Sequence, residues 1–133
     1  MNGLVDEIIM QLPKKADYVS LVRLTASGIA SRTGFDIDAI EDIKVAISEV
    51  CNKIISHRPE NYDEHYNITF RLLPNEFKVL FKVTDKLART MFEGEDGEFA
   101  KLIISSLMDE FTVRCDGGCI ITMGKSLGDC PNE

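Results

Sequence analysis

The chain has 133 residues, 44% of them hydrophobic and 28% charged, with a net charge of −7. That length and composition predict one soluble domain over residues 1–133, and no apolar run approaches the ~20 residues a membrane helix needs. The acidic balance argues against nucleic acid, whose phosphates reward a basic face, and leaves a basic protein partner or solubility alone as its use.

The opening residues, Met1 to Glu7, lack the basic and long apolar regions of a secretory leader, so a cytoplasmic address is expected. Residues 4–12 read as a first strand closed by Pro13. Asp17 is placed to cap a helix running to about Arg32, with Val19, Val22, Ala26 and Ile29 on its buried face and Gly34 as its stop. Asp36 or Asp38 caps a second helix. Its stripe is Ile40, Ile43, Ile47, Val50 and Ile54, and Pro59 ends it. So many β-branched residues lower helix propensity, so packing against a sheet must hold it.

Glu49, Lys53 and His57 follow one another at i, i+4 on this helix, which puts a carboxylate, an ammonium and an imidazole on one stripe. Glu49 and Lys53 are in the favourable order for an ion pair, worth about 0.3–0.5 kcal/mol if exposed.

Tyr66, Ile68, Phe70 and Leu72 alternate with polar residues, as do Phe77, Val79, Phe81 and Val83. This predicts an antiparallel hairpin around Pro74-Asn75-Glu76, closed by Asp85. Residues 86–98 read as irregular and end in an acidic run. A third helix follows over about 98–108, then strands near 110–115 and 119–125 around Asp116-Gly117-Gly118. The order β-α-α-β-β-α-β-β predicts a two-layer α/β sandwich, its sheet mixed but mainly antiparallel, with helices on one face.

Cys51, Cys115, Cys119 and Cys130 make no paired C-x-x-C elements. Cys115 and Cys119 are placed to face each other across the last turn. Free thiols in a reducing cytosol are the expectation, with a zinc site or a disulfide as the alternatives. His57 and His65 have no Cys or His neighbour at metal spacing, and Glu93, Glu95, Asp96 and Glu98 fit no EF-hand pattern.

Residues 18–32, 40–51 and 106–111 resemble, in order, the first, second and last helices of the bacterial anti-sigma-factor serine kinases, which share the histidine-kinase-like and Hsp90-like ATPase fold. The resemblance implies that Glu49 matches the catalytic base and Asp85 the adenine-reading carboxylate. It places Gly97 in a glycine-rich phosphate loop. Lys53 stands where the Mg²⁺-binding Asn belongs, and Asn52 lies one residue early, rotated about 100° off the stripe. Leu87 replaces a glycine beside the adenine, and Glu98 falls where a phosphate would lie.

The resemblance therefore implies a regulatory protein that binds a sigma factor or an anti-anti-sigma factor as a homodimer, with ATP binding impaired or lost. No cofactor, metal, nucleic acid or membrane partner is expected. The alternative is an active serine/threonine protein kinase using ATP and Mg²⁺. Glu49 would then be its base, Asp85 its adenine reader, Asn52 a displaced metal ligand and Lys53 a phosphate contact.

Overall fold

Alternating apolar residues on five strands give one sheet a single buried face, and this organises the rest of the chain. The structure, a computed structural model, describes residues 6–57 and 65–127. The strands are β1 (Asp6–Pro13), β2 (His65–Leu73), β3 (Glu76–Val83), β4 (Glu110–Cys115) and β5 (Cys119–Ser126), in spatial order β1-β2-β3-β5-β4. Every neighbouring pair is antiparallel, so the expected mixed character is absent from the described sheet. The β2–β3 and β4–β5 connections are hairpins, and the other two are helical.

Tyr66, Ile68 and Phe70 on β2, Phe77, Val79 and Phe81 on β3, and Ile121 and Met123 on β5 form the core side of the sheet. Phe70 and Phe77 stack across the β2–β3 pair with ring centroids 6.0 Å apart. Helices α1 (Val19–Thr33), α2 (Ile37–Ser56), α3 (Asp85–Met91) and α4 (Gly94–Leu107) supply the second layer.

Helix α2 is the central one. Ile43, Ala46, Ile47, Val50, Cys51 and Ile54 are all buried, as the apolar stripe requires. Asp36 is its cap, accepting from the Ala39 amide at 2.8 Å, while Asp38 lies in the first turn. Gly34 ends α1 with φ of 109°, a left-handed conformation that a side chain would resist.

Several expectations need correction. Asp17 lies within a short 3-10 turn, Ala16–Tyr18, and α1 begins at Val19 with no side-chain cap. Pro13 pairs with His65 as the last residue of β1. Asp85 opens helix α3 rather than merely closing a strand, because the Thr84 hydroxyl accepts from the Leu87 amide at 3.1 Å. The span 86–98 is mostly helical, and α4 starts at Gly94. Leu4, Val5, Pro59 and Cys130 lie outside the described residues.

Candidate functional site

Glu49, Asn52, Lys53 and His57 occupy the C-terminal half of α2. Glu49 and Lys53 are half-buried and Asn52 is exposed, so Asn52 points away from the stripe as its rotation predicts. No ion pair forms between Glu49 and Lys53 among the described residues. His57 instead closes the helix: its backbone N–H donates to the Lys53 carbonyl at 3.2 Å. The ring Nδ1 also lies 3.0 Å from that oxygen and 3.1 Å from the Ser56 hydroxyl.

Asp85 sits just beyond the end of β3. Thr84 caps α3, so Asp85 is the first helical residue and remains exposed. Leu87, Ala88 and Met91 turn inward, with Met91 wholly buried. Leu87 thus anchors a helix to the core.

Gly97 is in the first turn of α4. Gly97 is buried, and a Cβ built on it would lie 2.2 Å from the carbonyl carbon of Phe92 and 2.5 Å from its oxygen. The turn between α3 and α4 crosses this glycine directly. Phe92 in turn packs edge-on against Phe111, with centroids 5.7 Å apart. Glu95 and Asp96 occupy the first turn, where the N-terminal end of the helix dipole favours carboxylates.

Asp85 has an unexpected neighbour. Cys119 Sγ lies 3.1 Å from Asp85 Oδ1, and Cys119 is bonded to Cys115 across the β4–β5 turn. The expectation of two free thiols is therefore corrected: the pair is a disulfide, with Cys115 exposed and Cys119 buried. The cause is register, because Cys115 and Cys119 are directly opposite partners and their Cα atoms are only 4.0 Å apart.

A cavity of about 630 Å³ lies alongside. It is lined by Lys82, Thr84, Lys86 and Thr90 from one side and by His57, His65 and Tyr66 from the other, with Gly117 and Gly118 at the turn. In an acidic chain this is a locally cationic hollow. Glu49, Asn52, Lys53, Asp85 and Gly97 are not among its lining residues. The fold gathers the neighbours of the sequence-predicted residues there, and the predicted residues themselves stay around it. Sequence reasoning missed Lys82, Lys86 and Tyr66. Each reads locally as an ordinary strand or turn residue, and only the packing of several elements brings them together.

Tyr66 is buried, and its hydroxyl makes no hydrogen bond among the described residues. The Cys51 thiol is its neighbour. Burial pushes the Cys51 thiol up to about 12. Burial, followed by the neighbouring Cys51, also holds the Tyr66 phenol above its usual range.

The histidine kinase-like ATPase domain family matches residues 12–125 of the chain. A protein named serine-protein kinase RsbW from Bacillus pumilus is 33% identical, over 96% of this chain and 90% of its own length. One of the same name from Listeria monocytogenes is 36% identical, over 97% of this chain and 92% of its own. Among solved structures, the RsbU and RsbW domains of Rv1364c from Mycobacterium tuberculosis superpose with a TM-score of 0.67 at 16% identity. That match covers 92% of this chain and 32% of the longer one, and it establishes the fold alone.

Proposed function

The chain belongs to the RsbW serine-protein kinase family, built on the histidine kinase-like ATPase domain, and on that footing we propose that it is an anti-sigma-type regulator that binds a protein partner and has lost Mg-ATP. The partner in this reading is a sigma factor or an anti-anti-sigma factor, held by a homodimer.

Gly97 carries the reading. A phosphate-binding glycine leaves its Cβ side open to the ligand, whereas here that side is filled by the Phe92 backbone. Two further observations support it. Lys53 offers an ammonium where a metal needs an oxygen donor. Leu87 is buried where the family leaves room beside an adenine. On this reading the residues present do not suit Mg-ATP. The alignment with the Bacillus pumilus protein spans 145 positions against a chain of 133 residues, so that relative carries residues this chain lacks.

Thermal unfolding with and without millimolar Mg-ATP or Mg-ADP tests the loss of nucleotide. A ligand at 100 times its Kd stabilises by about 2.7 kcal/mol, and the expected result is no shift. Titration with purified sigma factor and anti-anti-sigma factor tests the partner.

One observation favours the second reading, a working serine/threonine kinase. The cavity beside Asp85 has the size of a small-molecule site and carries Lys82 and Lys86. A clear Mg-ATP shift, with phosphate transfer lost in Glu49→Ala, would establish it and overturn the first.

A further inference from the structure

We propose that the reduced chain binds one Zn²⁺ through the Asp85 carboxylate and the thiolates of Cys115 and Cys119. One ligand atom from each of the three residues lies within 4.8 Å of the other two, although the residues come from α3, β4 and β5. Each is held from outside the cluster. Asp85 is fixed by the Thr84 cap. Cys119 is paired with Val83, two residues before Asp85, so the β3–β5 ladder sets the distance between them. Gly117 and Gly118, with φ of 68° and 123°, form the tight turn that brings Cys115 opposite Cys119.

The donor set selects the ion. Two thiolates and one carboxylate suit Zn²⁺, whereas Mg²⁺ and Ca²⁺ prefer oxygen alone. Three protein ligands leave a fourth tetrahedral position for water. Asp85 and Cys115 are exposed and give the ion a path in, while buried Cys119 shields its far side.

The disulfide and the ion exclude each other, because a bonded sulfur is not a thiolate. Reduction by a trialkylphosphine breaks the S–S bond with two electrons from phosphorus. Water supplies the oxygen of the phosphine oxide and the two thiol protons. Zinc binding then releases those two protons. The inference rests on the reading in which nucleotide is lost, because the Asp85 carboxylate cannot serve both an adenine and the ion, and a missing zinc site would leave that reading untouched.

The test is zinc content after equilibrium dialysis of the folded chain against ZnCl₂, with the phosphine present or after oxidation with diamide. One zinc per chain is expected in the reduced protein and none in the oxidised. Cys115→Ser should abolish binding. Asp85→Asn should weaken it by at least about tenfold, since losing even an outer-shell partner costs that much. Cys130→Ser should leave it unchanged. Cobalt substitution adds a thiolate charge-transfer band that Cys115→Ser removes. The proposal is overturned if the reduced protein holds no zinc, if either site variant binds like the parent, or if the zinc departs with Cys130.

Discussion

The Phe92 backbone occupies the space where Gly97 would carry a side chain, with a Cβ-to-carbonyl-carbon distance of 2.2 Å. The contact joins the start of α4 to the turn that precedes it. It also gives this glycine a packing role that does not depend on any ligand.

Gly97→Ala should therefore destabilise the ligand-free protein by about 1–3 kcal/mol, the range of overpacked sites, because the opposing atoms are backbone and cannot rotate away. Thermal unfolding in plain buffer reads this as a fall of several degrees. An unchanged midpoint would mean that the contact relaxes freely, and Gly97 would return to consideration as a phosphate-loop residue.

Asp36 precedes the first turn of α2 and Asp38 lies within it, and only Asp36 accepts from the Ala39 amide. Asp36→Ala should cost about 1 kcal/mol and Asp38→Ala clearly less. Urea midpoints of the two variants separate the roles, and equal losses would contradict the capping geometry.

Tyr66→Phe removes a buried hydroxyl that has no hydrogen-bond partner among the described residues. Deleting an unsatisfied group relieves a desolvation cost, so the variant should match the parent or gain up to about 1 kcal/mol. A loss of that size in a denaturant titration would reveal a partner for the phenol.

Alkaline pH should weaken the fold. The Cys51 thiol is raised from 9.0 to about 12 in the native state, so between those values the unfolded chain has released a proton that the folded chain retains. This contribution is complete below pH 9.0 and is lost as pH climbs toward about 12. Tyr66, also raised, acts in the same direction from its ordinary 10.0 upward. Urea midpoints measured at neutral and alkaline pH should fall, and a Cys51→Ala, Tyr66→Phe double variant should fall less.

Where one face of an element meets the core, the sequence was readable. The isoleucines of α2 recur at helical spacing, and β2 and β3 alternate cleanly around Pro74-Asn75. Helix α3 escaped notice because it has only 7 residues, too few for a period to emerge. Its signals were the Thr84 cap and the spacing of Leu87 and Met91. The acidic run misled for a different reason. Carboxylates that suggest a solvated loop are equally at home in the first turn of a helix, and Glu95 and Asp96 are there.

The candidate site was legible only in part. Cys115 and Cys119 could be placed opposite each other from their turn, but nothing local ties Cys119 to Asp85, 34 residues away. That contact follows from β5 lying between β3 and β4. The cationic cavity was equally hidden, since residues contributed singly by several elements leave no motif.

The Cys115–Cys119 bond joins residues only 4 apart in the chain. In the chain-entropy picture a crosslink constrains the unfolded state according to the logarithm of the loop it closes. So short a ring is worth about 2 kcal/mol, against nearly 5 for a loop of a hundred residues. Helices α1 to α4 and the strand pairings from β1 through β3 to β5 all lie outside it. The bond is thus a local chemical variable and not a brace, and the domain can exchange its oxidised and reduced forms while its architecture stays the same.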